Sequence, residues 1–349
     1  MHDVMLHSLE KDLSHLLGSG KAPHIRAEKF SVGPWNLTKV NHGLTMEAPE
    51  QEELGGRLAE WVQAFPRTPT SLVQKREGIP SVLVRFDYTY TQGIGPQIYE
   101  VEERPAGIGV TLALNGKFRD GLVRSVEFWQ KRFDKPLGIC ISDGREGTSD
   151  DEVWAATLLR RPIAVFKGVP SPASVGHYIW WPRVSRHECD YFHLTQHALS
   201  TIELEGDKSY GVKMGLWHPI GRPADIPLLT GCALKPMAGS RAEDIQLVGG
   251  RGREGHGFIR VSRALQDIKR GKFAYWQPLH EAEHADRHPW LKPEYHLIRR
   301  VYFAFCSPLE GGPRYACIGG CWMATPNARV HGTSQTLTGP IYPHKVEWL

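Results

Sequence analysis

The stretch V-L-V-R-F-D-Y-T-Y-T-Q-G-I-G-P-Q-I-Y-E-V-E-E-R-P, residues 82–105, decides how the rest of the chain is read. Residues 82–90 alternate as a strand, Gly93, Gly95 and Pro96 signal a turn, and residues 97–103 alternate again, which predicts a β-hairpin. Side chains two apart in a strand share a face, so Arg85 pairs with Asp87 on one strand and Glu100 with Glu102 on the other. If the two faces coincide, three carboxylates and a guanidinium converge. Carboxylates that close repel unless a cation lies between them, and hard oxygen donors of this kind suit Mg²⁺. The bland alternative is a solvated strand face with cross-strand Arg/Glu pairs.

Composition narrows the setting. The chain has 349 residues, 41% hydrophobic and 23% charged, with a formal net charge of +4. That describes a soluble globular protein built from two or three interlocked subdomains. No Lys/Arg block or heptad run points to nucleic acid or a coiled coil, and no apolar run is long enough to span a membrane. The first residues mix acids into their apolar positions, unlike a signal peptide. The six cysteines are scattered, with only Cys317 and Cys321 close together. This suggests buried thiols in a reducing cytoplasm and no disulfide framework.

Helical spacing recurs at Met5, Leu6, Leu9, Leu13, Leu16 and Leu17. It returns at Leu54, Leu58, Trp61, Val62 and Phe65, and again between Phe118 and Phe133. The run P-L-G-I-C-I-S-D-G, a capped helical pattern from Ser149, and then R-P-I-A-V-F-K-G read as a β-α-β unit over about 136–168, hence a small parallel subdomain. The flanking regions read as mixed α+β. The expected organisation is 1–135, 136–205 and 206–349.

Further along come K-M-G-L-W (213–217) and A-L-K-P-M-A-G-S-R-A-E-D-I (233–245), each with a lysine that taken alone is most often a surface residue. Lys235, at the end of an apolar strand before a Gly-containing turn, is placed to aim an ammonium at phosphate oxygens. With these motifs the chain resembles the circularly permuted ATP-grasp ligases, in particular the synthetase domain of glutathionylspermidine synthase. The resemblance spans short islands between about residue 80 and residue 335. It implies an ATP-grasp fold in permuted order, with ATP and Mg²⁺ as cofactors. Arg85 then takes the catalytic arginine position and Asp87, Glu100 and Glu102 the metal positions, Glu102 standing where the family usually has Asn. Lys213 and Lys235 match the two nucleotide lysines. Gly239 and Ser240 fall in the glycine-rich loop, for which V-G-G-R-G-R-E-G-H-G (248–257) is the alternative. Gln277 and Leu279 fall at the adenine hinge, Glu281 or Glu283 at the ribose. Arg329, after the C-I-G-G-C-W segment, is the second phosphate-facing arginine.

The activity implied is attack of a carboxylate on the γ-phosphate of ATP, then displacement of phosphate by an amine to leave an amide. The partners are small carboxylate and amine substrates, amino-acid or peptide-like, with oligomeric state left open, a homodimer included. Two other readings stand beside it. His280-Glu281-x-x-His284 is a literal H-E-x-x-H, which on a helix would hold Zn²⁺ for a hydrolase, although Pro278 and Pro289 leave little room for that helix. A noncatalytic nucleotide-binding protein of the same fold is the other. The literal G-x-G-x-x-G at Gly250, Gly252 and Gly255 precedes G-F-I-R-V, a strand pattern, so a dinucleotide-binding helix is not expected there. The cluster R-H-E-C-D-Y-F-H (186–193) reads as polar core or surface, with substrate contact as its functional alternative.

Overall fold

The computed structural model describes residues 13–18, 24–32, 35–64, 83–102, 105, 107–133, 136–141, 157, 163–167, 179–183, 210–228, 231–236, 245–249, 258–280, 283, 288–309, 312–326 and 336–346. The chain opens with strands β1 (Ala27–Val32), β2 (Trp35–Val40) and β3 (Leu44–Thr45), then helix α1 (Ala48–Ala64). The predicted hairpin follows as β4 (Leu83–Thr91) and β5 (Gly95–Glu102), and after it α2 (Ile108–Leu114) and α3 (Gly116–Phe133). The middle of the chain carries β6 (Leu137–Ile141), β7 (Ile163–Lys167), β8 (Ile179–Arg183) and the short α4 (Tyr210–Lys213). Next come β9 (His218–Pro219), β10 (Gly231–Lys235), β11 (Gln246–Gly249), β12 (Phe258–Ile259), α5 (Val261–Lys269) and β13 (Tyr275–Pro278). The chain closes with β14 (His296–Leu309), β15 (Gly312–Thr325) and β16 (Leu337–Tyr342).

Among the described residues these elements make an α+β arrangement with three sheets. The largest has eight strands in the order β1-β2-β16-β15-β14-β4-β5, with β3 also on β16. It draws on both ends of the chain, and its middle is the long antiparallel hairpin β14–β15. Most neighbours are antiparallel, and β16 runs parallel to β2 and β3, so the sheet is mixed. Helix α1 covers one face through Leu54, Leu58 and Trp61, which pack with Val84, Phe86, Tyr88 and Val301. The other face meets α2 and α3: Phe118 lies 4.8 Å from the Tyr302 ring, and Ser125 Oγ donates to the Phe305 carbonyl. The alternation of β4 therefore sorts its residues, with Phe86, Tyr88 and Tyr90 toward α1 and Arg85, Asp87 and Thr89 toward α2.

The second sheet, β12-β11-β10-β13-β9, builds its own core from Cys232, Leu234, Val248 and Ala264. The third, β7-β6-β8, is wholly parallel, as the β-α-β pattern over 136–168 predicts, with β8 as a third strand that the pattern did not reveal. The helix expected from Ser149 falls almost entirely outside the described residues. Of the expected N-terminal helix, residues 14–16 form only a single 3₁₀ turn, anchored by buried Leu13 and Leu17. Cys232, Cys306, Cys317 and Cys321 are buried free thiols. Among the described residues no helix is long and apolar enough to cross a membrane.

Candidate functional site

The hairpin brings its charged residues to one face. Arg85 lies opposite Glu102 and Asp87 opposite Glu100. Between Asp87 and Tyr88 the register slips: Tyr88 pairs with Ile98, so Tyr99 is the extra residue of a β-bulge. Arg85 Nε lies 2.6 Å from Asp87 Oδ1, and its Nη2 lies 2.7 Å from Glu102 Oε2. Arg300 on β14, paired in register with Asp87, approaches Asp87 Oδ2 at 3.4 Å. Arg85 and Asp87 are buried at 3% and 7% exposure, so the solvated-face alternative is excluded for them. Burial by itself favours a neutral guanidine, yet the carboxylates of Asp87 and Glu102 hold Arg85 more firmly protonated than usual. Tyr302, opposite Arg85 on β14, is pushed well up by burial and stays a neutral phenol.

Two carboxylates and two guanidiniums thus interlock, a balance the sequence reading of this face lacked because Arg300 was not recognised as part of it. Its signal was present in I-R-R-V, where adjacent arginines in an apolar strand must point to opposite faces. Among the described residues no group of three His, Cys, Asp or Glu side chains is placed to hold a metal ion. The oxygen donors of Asp87, Glu100 and Glu102 fit Mg²⁺ in kind, and Arg85 is paired to two of them.

The second sheet docks on the edge strand β5. Gln277 Nε2 donates to the Ile98 carbonyl at 3.0 Å, and Lys235 Nζ donates to the Tyr99 carbonyl at 3.2 Å. Trp217 Nε1 reaches the same Tyr99 carbonyl at 3.4 Å, and its ring lies 3.9 Å beneath the Lys235 ammonium, a cation–π contact. A bulge takes one residue out of the ladder, and here it presents the Tyr99 carbonyl to a lysine from the other sheet and to the indole of the residue just before β9. The Tyr99 hydroxyl, buried, is raised to about 12. Leu279 packs on Gly231, whose φ of +113° suits glycine alone, and the Leu279 N–H points to the Gly231 carbonyl.

At its described residues, His280 and Glu283, the H-E-x-x-H segment is not helical. Tyr275–Pro278 is a strand, residues 279–280 are not helical, and Glu283 forms an isolated antiparallel bridge with Leu297. His280 instead packs on Tyr99, with ring centroids 5.6 Å apart, and burial, together with Lys235, lowers its pKa. Glu281 and His284 lie outside the described residues. So do Gly239, Ser240, Arg329 and the cluster 186–193. Lys213 ends α4, two residues before Gly215. The glycines of 250–255 are likewise outside, but Phe258–Ile259 is a strand and α5 begins only at Val261, which agrees with rejecting a dinucleotide-binding turn.

Glu283, one of the two ribose candidates, is committed elsewhere. Arg299 donates to it twice, from Nε and Nη2 at 2.7 Å each, and His288 Nε2 lies 2.9 Å from it. Arg299 Nη1 also reaches both Glu50 oxygens, at 2.8 and 3.0 Å, and Tyr88 Oη donates to Glu50. The two carboxylates on one guanidinium diverge. At Glu50 burial outweighs the arginine and the pKa rises, whereas at Glu283 the bonds from His288 and Arg299 overcome burial and bring it to about 2. Nothing in the sequence reading anticipated this network, whose members are spread from residue 50 to residue 299.

No family model matches this chain, and no curated protein sequence matches it. Among solved structures it is similar to a protein from Methylobacillus flagellatus KT, proposed to be a gamma-glutamylcysteine synthetase. The likeness has a TM-score of 0.39 and 9% identity and covers 82% of each chain. At that distance the similarity carries no argument about activity.

Proposed function

We infer that this chain is an ATP-dependent carboxylate–amine ligase of the ATP-grasp kind, in permuted order, which forms an amide and releases ADP and phosphate. The observation that carries the reading is that both halves of the predicted site meet on one strand. Glu100 and Glu102 belong to β5, and Lys235 and Gln277, from the other sheet, bond to the β5 carbonyls just before them. Lys235 and Gln277 are 5% and 1% exposed, so both positions are fixed.

In this reading Arg85 stabilises negative charge as it shifts from the transferred phosphoryl group, a role that suits an always-protonated, rigidly held guanidinium. Lys235 lies where it can offset nucleotide charge next to the carboxylate strand, with Lys213 as its companion and Arg329 as a second phosphate-facing arginine. Gly239 and Ser240 belong to the loop that would cover the phosphates, and Gln277, Leu279 and Glu281 line the base and ribose. When bound, Mg²⁺ supplies charge neutralisation between phosphates, and Asp87, Glu100 and Glu102 are the donors this face offers it. The substrates are a small carboxylate and an amine, and the reaction needs no protein nucleophile.

The test is calorimetric titration of a nonhydrolysable ATP analogue with Mg²⁺ into the full chain and into Asp87→Asn and Lys235→Ala, each checked for native folding. Saturable binding that weakens in both variants supports the reading and opens a screen for ADP release with carboxylate and amine pairs. A folded wild-type chain without binding overturns it.

A further inference from the structure

Three arginines of β4 and β14 have side chains no more than 14% exposed, and two of them are spent. Arg299 donates from Nε and Nη2 to Glu283 and from Nη1 to Glu50. Arg85 holds Asp87 with Nε at 2.6 Å and Nη2 at 3.0 Å, and reaches Glu102 at 2.7 Å. Arg300 is different. Its Nε is buried without a hydrogen-bond partner, and the carboxylate oxygen it approaches, Asp87 Oδ2, lies 3.4 Å away. That is long beside the roughly 2.7–2.9 Å of a charge-assisted bond. Among the described residues no group accepts a hydrogen bond from Arg300 Nη1 or Nη2.

The space beside the Arg300 fork is open as well. Gly107, the N-cap of α2 with φ of +85°, faces it. A Cβ there would lie 3.7 Å from Arg300 Nη1, and apart from its chain neighbours no other described atom comes within 4 Å. A guanidinium taken largely out of water with its donors unmet carries a desolvation cost that an acceptor from a ligand would relieve.

We propose that Arg300 anchors the carboxylate substrate, an inference that rests on the ligase reading. Its planar fork presents parallel N–H donors to the two oxygens of one carboxylate. Arg85 and Arg300 both approach Asp87, so a carboxylate on Arg300 lies next to the arginine assigned to the transferred phosphoryl group. Arg85 does not take this part itself, because Asp87 and Glu102 already occupy it. Phosphate fits less well: it brings more negative charge to one open guanidinium beside Asp87 and its register partner Glu100.

The experiment is saturation-transfer NMR on the full chain with Mg²⁺ and the nonhydrolysable ATP analogue present. The probes are N-acetylglycine, which is peptide-like and has no amine, its neutral match N-acetylglycinamide, and inorganic phosphate as competitor. Wild type is expected to prefer the acid to the amide at least about tenfold. Arg300→Gln removes the charge and brings that preference to about one, and Arg300→Lys, which keeps the charge and loses the fork, restores part of it. The preference is a ratio read within each variant, so a purely structural role for Arg300 would weaken acid and amide alike and leave it unchanged. No preference for the acid in the folded wild type, an unchanged preference in Arg300→Gln, or phosphate that displaces the acid more tightly than the acid itself binds overturns the proposal. An Arg300-dependent preference in a chain that fails to bind the ATP analogue by calorimetry overturns the ligase reading alone, and nucleotide binding without that preference overturns this inference alone.

Discussion

Arg299 and Arg300 are adjacent in β14 and serve opposite faces of the same sheet. Arg299, in register with Tyr88, bridges Glu283 and Glu50 beneath α1, and Arg300, in register with Asp87, joins Arg85 and the hairpin carboxylates. Their removal should therefore have unequal consequences. Arg299→Met strands two buried carboxylates and is expected to cost about 3–5 kcal/mol. Arg300→Met leaves Asp87 with Arg85 and is expected to cost roughly 1–2 kcal/mol. Urea midpoints of the two variants against wild type give the comparison, and equal losses would contradict the assignment of faces.

The same network predicts an acid response. The folded pKa of Glu283, about 2, is below its ordinary value of 4.5. Its contribution is therefore complete above about pH 4.5 and is lost as pH falls toward 2, a loss on the order of 3 kcal/mol. Glu50 has the opposite sign: its raised pKa favours the fold at acid pH and withdraws that support as pH rises through the folded value. Melting temperature followed across the acid range should therefore fall less steeply in Glu283→Gln than in wild type, and more steeply in Glu50→Gln.

What the sequence made legible was local. The hairpin, α1, α3, the parallel β6–β7 pair and the strand ending at Lys235 each follow from periodicity and turn residues within one short window. The shared face of Arg85, Asp87, Glu100 and Glu102 was also legible as a condition, because strand alternation leaves only two faces to choose between. The long β14–β15 hairpin was not read, since I-R-R-V breaks strict alternation and the strands are buried on both faces, where polarity no longer marks a period. The Tyr99 bulge left no turn residue as a sign. The Glu50–Arg299–Glu283 network depends on contacts across most of the chain, which no window contains.

Two glycines should respond to alanine with opposite signs. A Cβ at Gly320 would overlap the Arg300 carbonyl on the neighbouring strand, so Gly320→Ala must push β14 and β15 apart at the Val301–Gly320 pair, next to the pair that carries Arg300. A loss of at least about 2 kcal/mol is expected, as for overpacking in a close-packed core. Gly55, in the middle of α1, has open space where its Cβ would go, and Gly55→Ala should stabilise by about 0.5–1 kcal/mol through helix propensity. Chemical denaturation of both variants decides it.

Metal content separates the ligase reading from the hydrolase one. A zinc site at His280 and His284 requires one helical turn to bring the two rings to the same face. The chain instead runs as a strand to Pro278 and is bridged to Leu297 at Glu283, while the His280 ring rests on Tyr99 beside the Lys235 ammonium. A cation at that ring would face a buried lysine, and the lowered pKa of His280 reflects burial first and then the same repulsion. The purified chain should therefore hold far less than one equivalent of zinc after dialysis, and His280→Ala should leave the metal content unchanged while loosening the dock between β13 and β5. Stoichiometric zinc that disappears in His280→Ala would restore the hydrolase reading.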